Sequence, residues 1–168
     1  MAVSTGSEQS VRVLGLGNEI LADDAFGILV ARAVERRFGG EAEVVESSDA
    51  GFNLLDKLVN VARLLVVDVV QTGNSKPGTL HVYDSSGWLP VTGVSPHFTG
   101  LFEVLAVAKE LGLRVPQVAI FAVEAADCFT VGGAMHADVQ AAVPMVVEWV
   151  GRYLENMPCM TPGHSGSS

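Results

Sequence analysis

Short runs of aliphatic and β-branched residues alternate along the chain with longer stretches in which apolar positions recur every three or four residues. Val11–Leu16, Glu43–Glu46, Arg63–Val70, Leu80–Tyr83 and Gln117–Val123 read as strands. Between the first two, Ala25–Phe38 places Phe26, Leu29, Val30, Ala33, Val34 and Phe38 on one helical stripe, opposite Arg32, Glu35 and Arg36, and Gly39-Gly40 ends it. A short helix is expected over Gly51–Val59. Another is expected to start at Ser95-Pro96, with serine as N-cap and proline at the first helical position, carrying Leu101, Val104, Leu105, Ala108 and Leu111. A last helix runs from about Met135 to Leu154, with Val139, Val143, Val146 and Val150 inward. The run RLLVVDVV is almost wholly apolar, as a strand buried on both faces must be. Strands alternating with helices predict βαβ units: an α/β three-layer sandwich, with a mostly parallel twisted sheet of about five strands and helices on both faces. Reactive groups in such a fold gather beyond the carboxyl ends of the strands.

Length and composition add limits. The 168 residues, 49% of them hydrophobic, fit one domain, expected over 11–155, with flexible polar tails over 1–10 and 156–168. Ten basic residues against nineteen acidic ones give a net charge of −9, a poor match to the phosphates of nucleic acid. No apolar run reaches the ~18 residues of a membrane span, and the first ten residues lack the pattern of a secretory signal, so a cytoplasmic protein is expected. Cys128 and Cys159, the two cysteines, lie far apart and argue against a disulfide scaffold or a cysteine-based zinc site.

Three polar features stand at the expected strand ends. Gly15-Leu16-Gly17-Asn18 follows the first strand and leads to Asp23 and Asp24. Ile20 occupies the place where a dinucleotide-binding GxGxxG needs glycine, so the glycines imply only a tight turn of unusual backbone conformation. Asp23 and Asp24 can be favourable charge at a helix N-terminus, or ligands. Asp68, inside LLVVDVV, cannot be a solvated charge; it must lie at the strand end, be paired, or hold a metal. His97 falls in the first turn of the helix expected from Ser95, a place that favours neutral imidazole, the ligating form. His81, His136 and His164 are weaker candidates. Two carboxylates and an imidazole suit a first-row divalent ion and leave a coordination position open. No G-x-S-x-G is present, and Cys128 has no histidine near it in sequence.

The stretches GLGNEILADDAFG, VVDVV with the following PGTL, and SPHFTGL, in this order from about Val11 to Val150, resemble the hydrogenase maturation proteases. Those endopeptidases remove the C-terminal extension of the large subunit of nickel-iron hydrogenases. The resemblance implies a twisted sheet flanked by helices. It also implies nickel contact by an acidic residue of the first motif, the aspartate of the central strand and the histidine of the third motif. By motif position these are Asp24, Asp68 and His97, as metal ligands and catalytic residues. The nickel would arrive with the precursor, and no organic cofactor is implied. Two segments depart from the family pattern. The turn after the second strand reads Glu46-Ser47-Ser48-Asp49-Ala50-Gly51 in place of an Asp-Gly-Gly-Thr-like sequence, and Gln71–Lys76 precedes the PGT. Three alternatives keep the same residues or part of them. Asp24 and Asp68 can share a proton as an acid/base pair. A chaperone-like module can bind a metallated partner without chemistry. Gly15–Asn18 also resembles the opening of peptidyl-tRNA hydrolase, which needs an early histidine, whereas the first here is His81.

Overall fold

The computed structural model describes residues 10–84, 95, 97, 98 and 100–156. The strands are β1 (Val11–Leu16), β2 (Glu43–Ser47), β3 (Arg63–Val70), β4 (Leu80–Asp84) and β5 (Gln117–Glu124). The helices are α1 (Phe26–Phe38), α2 (Leu55–Leu58), α3 (Leu101–Glu110) and α4 (Ala137–Glu155), and single 3-10 turns, Ala22–Ala25 and Gly51–Leu54, lead into α1 and α2. The sheet order is β2-β1-β3-β5-β4. The first four are parallel, and β4 pairs antiparallel with β5 on the edge.

Period-two alternation divides each central strand between two cores. From β3, Leu65, Val67 and Val69 join the core under α1 and α4, while Leu64, Val66 and Val70 join the one under α2 and α3. Strand β5 does the same with Ala119, Phe121 and Val123 on the first face and Val118, Ile120 and Ala122 on the second. Asp68 occupies the second face between Val66 and Val70, and its partner across the ladder is the small Ala122. A carboxylate therefore stands in a core position.

From β1 the chain moves to β2 on one side, and from β3 it moves towards β5 on the other. The direction of winding changes between β1 and β3, and the carboxyl ends of these two strands open the crevice that such a change creates. Helix α1 packs down at this point because Gly27 has no side chain. A Cβ there would collide with the carbonyl oxygen of Leu16 and stand 2.6 Å from that of Val67.

Two expectations are corrected. Helix α3 begins at Leu101, not near Ser95: Gly100 is left-handed (φ 85°), which breaks any helix running in from Ser95. Leu111, counted with the apolar stripe, lies just past the helix and is exposed. Ser10, assigned to a tail, is held, its carbonyl accepting from the N–H groups of Ala62 and Arg63 (both 3.1 Å). Asn156, also assigned to a tail, closes α4, and the remaining tail residues, with Cys159 and His164, and Pro96 of the expected helix start lie outside the described residues. Among the described residues no helix is long and apolar enough to cross a membrane.

Because a methyl group at Gly27 has no space to enter, Gly27→Ala should lower stability by about 1–3 kcal/mol. Urea unfolding of the two proteins measures it.

Candidate functional site

The GLGN segment acts through close approach. Gly15 and Gly17 both have ordinary backbone angles, contrary to the unusual conformation expected of them. A Cβ on Gly15 would stand 2.5 Å from the Ala31 methyl, and one on Gly17 would strike the carbonyl of Asp24. With both bare, the Asn18 N–H reaches the Asp24 carbonyl (3.2 Å) and the Gly17 N–H reaches the Ser47 carbonyl (3.0 Å). The 3-10 turn that carries Asp23 and Asp24 is thereby folded back over the end of β1.

Both aspartates are buried, so neither is solvated charge at a helix start. Asp23 is fully engaged. Its Oδ2 accepts from the N–H groups of Ala126 (2.7 Å) and Asp127 (2.9 Å), and its Oδ1 from that of His136 (2.6 Å). It fastens the β5–α4 loop to the turn. Asp24 points the other way. Its Oδ2 lies 2.8 Å from His97 Nε2, and its Oδ1 is buried with no hydrogen-bond partner.

His97 sits in the turn before α3, not inside the helix. Ser95 Oγ accepts from the N–H groups of His97 (3.3 Å) and Phe98 (3.2 Å), and the Phe98 carbonyl accepts from Leu101 (3.0 Å). His97 Nδ1 is 3.2 Å from the carbonyl oxygen of Asp49. A carbonyl only accepts, so Nδ1 carries the proton and Nε2 faces Asp24. The Nε2···Oδ2 contact then requires one shared proton. Burial works against a charged imidazole, yet the hydrogen bond to Asp24, the charges of Asp68 and Asp24 and the Asp49 carbonyl outweigh it. His97 titrates above its ordinary range. Neighbouring carboxylates, not a helix dipole, push this imidazole towards its charged form.

Asp68 is fully buried, and burial pushes its carboxyl up to about 7. The His97 charge and two donors pull in the opposite direction: the Val69 N–H on Oδ1 (2.7 Å) and the Ser95 hydroxyl on Oδ2 (2.9 Å). Ser95 thus uses its one proton for Asp68 and its lone pairs for the His97 turn, joining two candidates through one oxygen. Cys128, buried nearby, is pushed up to about 12 by burial and by the charges of Asp24, Asp68, Asp23 and Asp127, and stays a thiol.

The structure therefore brings Asp24, Asp68 and His97 to one place, where Asp24 and His97 are bonded to each other. Among the described residues, no group of three His, Cys, Asp or Glu side chains forms a ready-made metal cage. The weaker histidines lie elsewhere. His81 binds Glu124 (3.0 Å), and His136 caps α4, accepting from the Asp138 N–H (3.2 Å). Glu124, unnoticed in the sequence, is a buried carboxylate that also accepts from Thr72 and Gly73, which makes it structural. Beside the site, a cleft of about 320 Å³ is lined by Gly17–Ile20, Ile28 and Glu46–Ser48. Arg32 bridges Glu19 (2.6 Å) and Glu46 (3.0 Å) at its edge.

A family model described as HycI, hydrogenase maturation protease, matches residues 28–152. The chain belongs to this family. Asp68 and His97 lie inside the matched segment and Asp24 just before it. The hydrogenase expression/formation protein HupD of Thiocapsa roseopersicina is 27% identical over 153 residues, covering 88% of this chain and 69% of that protein. The hydrogenase 2 maturation protease of Escherichia coli (strain K12) is 30% identical over 106 residues, covering 61% of this chain and 65% of that one. In three dimensions the chain is similar to the hydrogenase maturating endopeptidase HybD of Escherichia coli, with a TM-score of 0.68 at 24% identity over 88% of this chain and 93% of the other. The protein is thus a hydrogenase maturation protease with the α/β fold expected of one. The readings as a peptidyl-tRNA hydrolase and as a module without chemistry fall away.

Two outcomes are expected of this hydrogenase maturation protease. The Asp68 carboxyl is held well above its ordinary 3.8, so the fold prefers it protonated. Its contribution to stability is complete below about pH 4 and is lost as pH rises through about 7. Denaturant melts from pH 4 to 8 should show this decline in the parent. Asp68→Asn should lack that component and be more stable at pH 8 by on the order of 2 kcal/mol. Ser95→Ala should fold with a loss of about 1 kcal/mol while processing falls at least about tenfold, because Asp68 Oδ2 loses its donor. Ser95→Thr, which keeps the hydroxyl, should restore activity in the same assay.

Proposed function

We propose that the protein removes the C-terminal extension of the large-subunit precursor of a nickel-iron hydrogenase. Asp24, Asp68 and His97 engage the nickel that the precursor carries. The observation that supports this most is Asp24: an acidic oxygen buried without a partner, beside an imidazole nitrogen held only by a shared proton. Native structures rarely leave such an atom unsatisfied, and a cation is the partner that suits it. Asp24, Asp68 and His97 would hold a divalent ion with donors of the nitrogen and oxygen types that nickel accepts.

The chain's own groups then have separable tasks. The Asp49 carbonyl fixes which imidazole nitrogen faces the ion, as a hydrogen bond to the far nitrogen does for metal-bound histidines. Ser95 and the Val69 N–H aim the Asp68 carboxylate. Nickel held there would supply Lewis-acid activation of water, so that no serine or cysteine nucleophile is needed, in keeping with the inert Cys128 thiol. Attack adds the water oxygen to the scissile carbonyl carbon. The C–N bond breaks, and the water's proton passes to the departing amine.

A second reading rests on Asp68 alone. A carboxyl pushed up to about 7 can take the proton from water and return it to the amine, with Asp24 as its partner carboxylate and no metal engaged.

Incubating the protein with nickel-loaded and nickel-free precursor, and weighing both by mass spectrometry, separates the two. Loss of a C-terminal peptide from the nickel-loaded precursor alone is the expected result. Equal trimming of the nickel-free form would leave only the acid/base reading. Asp68→Asn and His97→Ala should each lower the processing rate by at least about 100-fold without unfolding the protein. A His97→Ala protein as fast as the parent would remove that residue from the site.

A further inference from the structure

The strands β1, β2 and β5 are parallel, so the loops that follow them leave from one edge of the sheet. These loops carry four large apolar side chains turned to solvent: Ile20 (60% exposed), Phe52 (61%), Phe129 (57%) and Val131 (72%). Two of the loops form one platform. Leu21 and Val131 make an antiparallel bridge, the Ile20 carbonyl accepts from the Gly132 N–H (2.7 Å), and the Thr130 carbonyl accepts from Ala22 (3.1 Å). Asp23 holds this platform from behind through its three backbone donors. Phe52 follows three residues after Asp49, whose carbonyl holds His97 at the ring nitrogen turned away from Asp24.

Such placement runs against burial, since each of these side chains gives up the gain that covering it would bring. It is also local to the site. Ile20 lies in the loop that leads into the Asp24 turn and lines the neighbouring cleft. The acidic residues at that cleft, Glu19 and Glu46, are already taken by Arg32.

We propose that Ile20, Phe129 and Val131, with Phe52, form an apolar rim that docks the hydrogenase large-subunit precursor through apolar side chains flanking the bond to be cut. The inference rests on the function proposed above, and the rim is tied by hydrogen bonds to the loop that carries Asp24. The rim sets affinity and register, whereas the buried polar groups perform the reaction.

The test uses the full chain, nickel-loaded precursor, and the double variant Ile20→Ser/Val131→Ser. Its KM should rise about tenfold or more with kcat within about twofold of the parent. Phe52→Ser should shift KM in the same direction and serves if the double variant does not fold. Leu111→Ser, an equally exposed residue at the far end of α3, should change neither constant. An unchanged KM in folded variants overturns the proposal, as does a loss in kcat alone. It is likewise overturned if sedimentation shows a parental dimer that the double variant dissociates while KM stays put, since the rim would then join two copies. Should the parent leave every precursor uncut, the functional reading fails by itself. Direct binding of precursor, weakened about tenfold in the double variant, would still uphold the rim.

Discussion

Two carboxylates and one imidazole lie buried together, and the rest of the structure serves to keep them there. An unpaired buried charge is among the costliest features a fold can carry. Here a single His97 faces both Asp24 and Asp68, so negative charge is in excess. The fold manages the excess in three ways. The Asp24–His97 contact places a shared proton between the two, Asp68 moves its proton affinity up towards neutrality, and backbone and hydroxyl donors take part of the remaining charge. None of these removes the surplus. One oxygen of Asp24 stays without a partner, and that residue of unmet demand is what makes the site chemically useful.

Putting the groups in one place falls to backbone geometry more than to side chains. The change in winding direction between β1 and β3 brings the Asp24 turn and the Asp68 strand together. Absent side chains at Gly15, Gly17 and Gly27 let α1 and its preceding turn settle against the strand ends. Ala122 across the ladder leaves room on the face where Asp68 replaces a core residue. Change any of these and the acidic groups move apart or reach solvent, where the Asp68 carboxyl would return to its ordinary range.

Much of this was legible in the sequence, and the failures have physical causes. The apolar run around Asp68 gives β3 its observed bounds, Arg63–Val70, because a strand buried on both faces ends where its apolar run ends. The same run singles out Asp68, since one charge among the six apolar residues of LLVVDVV has few bland explanations. His97 does meet Asp24, but it stands in a turn and not in the expected helix. Ser95 does cap a turn, but Gly100 in the left-handed region separates that turn from α3. Serine's second task, donating to Asp68, joins residues 27 apart and leaves no local pattern. The support for His97 Nδ1 is a backbone carbonyl, which any residue at position 49 would supply and no sequence motif records. In the glycines, sequence pointed to special torsions where the actual demand is close packing, two requirements that the same residue satisfies.

Asp23 and Asp24 show why residue type alone could not separate scaffold from chemistry. They are adjacent, both buried, and both carry the same carboxylate. Asp23 receives three backbone N–H groups, which is close to what a carboxylate needs to be stable in a dry environment, and so it has nothing left to offer a ligand. Asp24 receives one contact, and that contact depends on a proton that can leave. A group satisfied by fixed backbone donors holds the same structure whatever binds. A group satisfied by an exchangeable proton changes its partner when a stronger cation arrives. By that criterion, Asp23 anchors the loop beneath the apolar rim, and Asp24 waits for a charge that the chain itself does not contain.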